Sequence, residues 1–178
     1  MTRALVVFES MFGNTQLIAR SVADGLAPRI QVDLVEVGAA PTALDGDLDL
    51  LVVGGPTHAF GMSRPGTRQS AAQQSERGVV SGGIGVREWL NALPNDARHA
   101  AVATFDTRIA KPRLPGSAAA AAGKRLRRLG FRFVAPPMSF YVEGTTGPLL
   151  EGEPERARRW GEELGAAIGA TEQPSRGA

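Results

Sequence analysis

The chain has 178 residues and a mass of 18.7 kDa, with 20 basic and 18 acidic side chains, two histidines and no cysteine. Its length and its 43% hydrophobic and 21% charged residues fit one globular domain that buries roughly 70% of its unfolded surface, and they exclude a disordered or fibrous chain. The absence of cysteine excludes disulfides, thiol nucleophiles, iron–sulfur clusters and thiolate zinc sites, and two histidines are too few for a histidine metal cage.

The apolar stretch Ala4 to Phe8 is too short for a signal-peptide core or for the ~20 residues of a membrane span, so a cytoplasmic protein is expected. Arg3 to Phe8 reads as a buried parallel strand. A helix follows from Asn14 to Ala27, with Ile18, Val22 and Leu26 turned inward and Arg20 and Asp24 toward water, and Pro28 ends it. Ile30 to Val37 alternates apolar and polar residues, as an edge strand does. Leu48 to Val53 is a third strand, stopped by Gly54-Gly55-Pro56. From Thr57 to Gly85 the pattern weakens to a long loop with a short helical stretch at Thr67 to Ser75; loops of that length usually serve a function. Val86 to Leu93 reads as a short helix, Ala100 to Phe105 as a fourth strand, and Gly116 to Leu129 as a helix capped by Gly130. Arg132 to Pro137 and Ser139 to Val142 read as one broken final strand, and Glu153 to Gly169 as the closing helix. The domain is expected to end near residue 170, with a frayed tail over Thr171 to Ala178. Strands alternating with helices in this way predict a single doubly wound α/β domain.

The net charge of +2 conceals an uneven distribution. Residues 1 to 60 hold 3 basic and 7 acidic groups, whereas residues 98 to 132 hold 9 basic groups against the single acid Asp106. Lys124, Arg125, Arg127 and Arg128 share the expected exposed side of the Gly116 to Leu129 helix. Such a stripe is either a solvated helix face or a surface for phosphate, nucleic acid or an acidic partner protein.

In an open parallel sheet, ligands bind beyond the carboxyl ends of the strands, where strand order reverses. After the first strand come Ser10, Met11, Phe12, Gly13, Asn14 and Thr15. Their hydroxyls, amide and helix-start N–H groups suit a phosphate, although the same residue types also serve as simple helix caps. After the third strand come Pro56, Thr57, His58, Ala59, Phe60 and Gly61, which offer hydrogen bonds and flat surfaces. After the fourth come Phe105, Asp106, Thr107 and Arg108. A P-loop NTPase or a dinucleotide-binding Rossmann unit would need its glycine fingerprint after the first strand, and neither is present. A phospho-receiver domain would need Asp where Gly54 stands.

The segments Leu5 to Thr15, with Ser10 and Gly13-Asn14-Thr15, and Val52 to Gly61 resemble the phosphate-binding and flavin-flanking loops of the flavodoxin-like FMN-binding family, and Phe105 to Arg108 falls where its third loop would be. The resemblance spans residues 3 to 168. It implies a five-stranded parallel sheet in the order 2-1-3-4-5, FMN phosphate held by Ser10 to Thr15, and an isoalloxazine flanked by Thr57 to Gly61 on one side and Phe105 to Arg108 on the other. It further implies a redox protein that passes electrons through FMN to a protein or a small quinone-like acceptor. No side chain is required as a catalyst, and an FMN-dependent NAD(P)H:quinone-type oxidoreductase is one form of that reading. The chain departs from classical acidic carriers in charge and in aromatic placement. Trp89, Tyr141 and Trp160 lie outside the loops, leaving Phe60, Phe105 or His58 to stack, while Arg64, Arg68 or Arg108 near the ring would favour an anionic flavin. The alternative is a flavodoxin-fold binding module with little or no FMN affinity that acts through its Arg-rich helix on an acidic partner. No membrane or nucleic-acid partner is expected, and a homo-oligomer is compatible with the sequence.

Overall fold

The computed structural model describes residues 1–94 and 99–171. Along β1 (Arg3–Phe8) side chains alternate between two buried faces: Ala4, Val6 and Phe8 join one apolar cluster, and Leu5 and Val7 join another. That period of two decides the layering. The first cluster is closed by α1 (Asn14–Leu26), through Ile18, Val22 and Leu26, and by α5 (Glu153–Thr171), through Trp160, Leu164 and Ile168. The second is closed by α3 (Val86–Ala92), through Trp89 and Leu90, and by α4 (Ala118–Arg128), through Ala122 and Leu126.

The sheet runs β2 (Gln31–Glu36), β1, β3 (Leu50–His58), β5 (Ala101–Ile109) and then a divided outer position. Two short strands occupy that last position, β6 (Arg132–Phe133) beside Ala101 and Val102 and β7 (Met138–Val142) beside Phe105 to Ile109, all parallel. This is the broken final strand expected from the sequence, and the main strands follow the order 2-1-3-4-5 of a doubly wound sheet. An additional strand, β4 (Gly61–Met62), folds back antiparallel on the end of β3.

The third and fourth strands run longer than the sequence suggested. β3 passes through Gly54-Gly55-Pro56 to His58, and β5 passes Phe105 to Ile109. Gly54 is a contact requirement rather than a strand stop: a Cβ there would lie 1.9 Å from Cζ of Phe105. The Phe105 ring fills that gap and meets Phe140 and Trp160 edge-on, with centroids 6.1 and 6.2 Å away. Phe105 therefore belongs to the core and not to a loop beside a ligand.

The expected long loop also holds α2 (Pro65–Gln73), which starts two residues earlier than the stretch anticipated. Pro65 suits its first turn, and Thr67 Oγ1 accepts the Arg64 N–H at 2.9 Å. On α4, Lys124, Arg127 and Arg128 are exposed as expected, but Arg125 is half-buried, with its Nε unpartnered. Thr171 ends α5, and the rest of the expected tail lies outside the described residues. Among the described residues no helix is long and apolar enough to cross a membrane.

Candidate functional site

The carboxyl ends of β1, β3 and β5 open into a cavity of about 320 Å³. This is the size range of small-ligand sites. Its floor at one end is the turn from β1 into α1. Gly13 caps α1 with φ of 94°, a left-handed conformation that favours glycine, and a Cβ there would meet nothing within 4 Å. Its N–H donates to Ser10 Oγ at 3.1 Å and its carbonyl accepts from Leu17, while Asn14, Thr15 and Gln16 begin the helix and have no intrahelical acceptor for their N–H groups. The positive end of the α1 dipole thus faces the cavity without a lysine or arginine.

The side chains of this turn are more committed than their residue types suggest. Ser10 is buried and its N–H donates to Ser81 Oγ at 3.0 Å. Thr15 and Thr107 share a hydroxyl–hydroxyl bond of 2.7 Å across the first and fourth strand ends. Asn14 Nδ2 donates to the Thr146 carbonyl at 3.1 Å, tying α1 to the loop after β7.

Of the residues singled out from sequence, Ser10, Met11, Phe12, Asn14, Thr15, Pro56, Thr57, His58, Ala59, Thr107 and Arg108 line this cavity. Gly13, Phe60, Gly61, Phe105 and Asp106 do not. Because β5 continues as a strand, its side chains alternate: Phe105 and Thr107 turn to the α1 and α5 side, and Asp106 turns to α4. Asp106 is fully buried, and its Oδ2 accepts from Thr57 Oγ1 (3.1 Å), Ser117 Oγ (2.5 Å) and the Ala119 N–H (3.0 Å). It joins β3, β5 and the start of α4, which is a positioning role. Phe60 stands on the rim, 58% exposed. Of the three arginines considered for the ring, only Arg108 lines the cavity, and its guanidinium donates to the Leu114 carbonyl.

An entire wall of the cavity went unread in the sequence. Thr67, Ser70 and Ala71 line the cavity from α2, Gln74 from the cap of that helix, and Thr145 from the loop after β7. The residues of α2 and its cap fall at i, i+3, i+4 and i+7, one helix face. The segment Gly144-Thr-Thr-Gly147 follows the last strand at the same sheet edge and carried a readable signal.

Behind this wall sits a buried ionic network. Glu9 Oε1 accepts from Ser63 Oγ at 2.5 Å and from the Val86 N–H at 3.2 Å, and Arg68 lies 3.9 Å away. Arg68 also pairs with Glu88 at 2.8 Å. Burial pushes the Glu9 carboxyl above the ordinary range, against the pull of Ser63, Arg68 and Val86. Two backbone bonds, Val80 N–H to the Met11 carbonyl and Ser81 N–H to the Ser10 carbonyl, fasten the segment after α2 to the turn between β1 and α1.

No protein-family model and no curated protein matches the chain by sequence. Solved structures match its fold across nearly its whole length. A flavodoxin from the domain Archaea superposes with a TM-score of 0.64 at 15% identity, covering 94% of this chain and 99% of that one. Flavodoxin 1 from Bacillus cereus gives 0.66 at 14% identity, with 97% and 100% covered. The rubredoxin oxygen:oxidoreductase of Desulfovibrio gigas gives 0.65 at 15% identity; the chain is 98% covered but spans 38% of that protein. The fold is therefore that of the flavodoxins: a doubly wound α/β domain with a ligand-sized cavity at the carboxyl edge of its sheet.

Proposed function

We propose that the protein binds FMN in this cavity and passes electrons through it to a protein or a small quinone-like acceptor. The observation that carries the reading is the convergence of the β1, β3 and β5 ends on one cavity at the N-terminus of α1, in a chain with the flavodoxin fold. The donor set fits the group. The helix-start N–H groups and the left-handed Gly13 suit a phosphate, and the mixed lining of Met11, Phe12, Pro56, Ala59, Ile109 and Leu114 with Thr57, His58 and Arg108 suits a flat heterocycle. FMN, when bound, supplies the electron- and hydride-accepting chemistry. The chain's own residues bind the phosphate, orient the ring and, through α2, limit access from solvent.

The test is reconstitution. Protein purified with, or titrated by, FMN should be yellow and quench flavin fluorescence; a colourless protein that ignores added FMN would overturn the reading. Ser10→Ala combined with Thr15→Val should weaken FMN binding by about tenfold, in line with the ~1.4 kcal/mol that a lost hydrogen-bonding pair costs. Unchanged affinity in a variant whose circular dichroism is native would remove the phosphate from this turn. Steady-state oxidation of NADH or NADPH with a quinone then separates a reductase from a carrier.

A second reading has one observation in its favour. Lys124, Arg127, Arg128 and Arg132 are exposed, and among the described residues none of them forms an ion pair. A docking role on an acidic protein partner would use this face. It is compatible with FMN binding, since α4 and the cavity involve different residues.

A further inference from the structure

His58 is the one imidazole on the cavity wall, and its setting is specific. It ends β3 and immediately precedes the reversal into β4, so its backbone is held by pairing with Gly61. Its Nδ1 lies 3.1 Å from Thr67 Oγ1 on α2. That hydroxyl already accepts the Arg64 N–H at 2.9 Å and donates its single proton to the Arg64 carbonyl at 3.0 Å. With the hydroxyl proton on the Arg64 carbonyl, Nδ1 donates to Thr67 and the lone pair of the neutral imidazole lies on Nε2. No protein group partners Nε2 among the described residues.

Resting on the FMN reading above, we propose that His58 is the proton-exchanging group of the cavity: held by Thr67 through Nδ1, it offers Nε2 to the bound redox group and takes up one proton from solvent when that group gains negative charge. Thr67 is a positioning residue in this scheme. The charges facing the imidazole are cationic or already paired. Arg68 on α2 is engaged by Glu9 and Glu88, Arg64 caps α2, and Arg108 approaches from β5. Burial first, and the Arg68 charge second, hold the imidazole below its ordinary value, so it is neutral near pH 7 while the cavity carries no added negative charge. An anion within a few ångströms opposes the Arg68 effect directly and raises the imidazole's proton affinity. By linkage, an imidazole that gains a proton on reduction makes reduction pH-dependent over the interval between its two pKa values.

The test uses the FMN-loaded full chain. The His58 ring resonances, assigned by comparison with His58→Gln, are followed through a pH titration with the flavin oxidised and then fully reduced. The expected result is a His58 pKa higher by about one unit or more in the reduced protein. The midpoint potential, measured against pH, should show one additional proton per reduction across that window in the wild type. The extra proton should be missing in His58→Gln measured at saturating FMN. Thr67→Val, which removes the positioning hydroxyl, should shift the window. A His58 pKa indifferent to flavin redox state, or a pH slope that survives His58→Gln, overturns the proposal alone. Failure of the wild type to bind FMN overturns it together with the cofactor reading.

Discussion

Two neighbouring side chains at the rim of the cavity sit where L-residues rarely do. Ala59 (φ 43°) and Phe60 (φ 73°) form the two-residue turn between β3 and β4, and both are left-handed. A turn of this kind normally takes Asn-Gly or Gly-Gly, and non-glycine residues there cost of the order of 1 kcal/mol each. Ala59→Gly should therefore raise stability by about 0.5–1 kcal/mol, the strain relief exceeding the entropy that glycine adds to the unfolded chain; a thermal melt reads the gain directly. Glu9 makes the second residue-scale case. Its carboxyl is raised above the ordinary 4.5 by burial, so between that value and the raised one the native state holds the proton that the unfolded state has lost. Its contribution to stability consequently falls as pH climbs through that window. Glu88 and Glu153 act in the opposite sense: burial is the largest single influence and opposes ionisation at both, but the arginine hydrogen bonds, backbone N–H groups and arginine charge together outweigh it, and the stability they lend is lost as pH drops below 4.5. Urea unfolding of Glu9→Gln across pH should show the variant gaining on the wild type as pH rises above 4.5. A constant difference would mean that the carboxyl titrates alike in the folded and unfolded chain.

At the scale of elements, the informative contact is Gly54 against Phe105. A methyl at Gly54 has no space, because the obstructing ring is wedged by Phe140 and Trp160 and cannot swing away. Gly54→Ala should destabilise by about 3 kcal/mol, and adding Phe105→Leu should recover part of that loss, a coupling measurable as a double-mutant cycle. This contact also explains what could be read from the sequence. The helices with apolar stripes, α1 and α5, and the continuous strand β1 were legible because burial imposes their periodicity. The ends of β3 and β5 were not. Gly54-Gly55-Pro56 has the composition of a turn, and only the distant Phe105 ring reveals that the glycine serves a packed strand. Misplacing the end of β5 then assigned Phe105 to the cavity, because in a loop an aromatic can face a ligand, whereas in a strand its parity is set by its neighbours. Helix α2 was read only in part for a different reason. Ala71 is its one buried residue, so no apolar period marks it, and the face it turns inward is lined with hydroxyls and an amide. The segments Ser10 to Met11 and Pro56 to Ala59 were legible as neighbours at one sheet edge because both their chemistry and their strand-end position pointed there.

For the molecule as a whole, the two edges of the sheet differ in charge. Edge strand β2 and the loop before β3 carry Asp33, Asp45 and Asp47, gathered around Arg3 at 3.3, 3.6 and 2.9 Å. The opposite edge carries Arg132 on β6, with Lys124, Arg127 and Arg128 on α4. The exposed pairs around Arg3 add little to stability, but the separation of charge sets how the molecule meets others. If α4 docks an acidic partner, association should slow steeply between low and physiological salt, and reversing Arg127 and Arg128 to glutamate should reduce the on-rate by tenfold or more while leaving FMN binding unchanged. Surface plasmon resonance at two ionic strengths distinguishes this from a salt-insensitive apolar contact.

The aspartates that crowd Arg3 have a further consequence, one of orientation. They neutralise the single basic side chain of β1, and the near-zero net charge is divided between an acidic region at β2 and a basic one at β6 and α4. A charged surface responds to the nearer pole and not to the sum. Near neutral pH the native protein should be retained by cation and anion exchangers alike, each gripping a different edge.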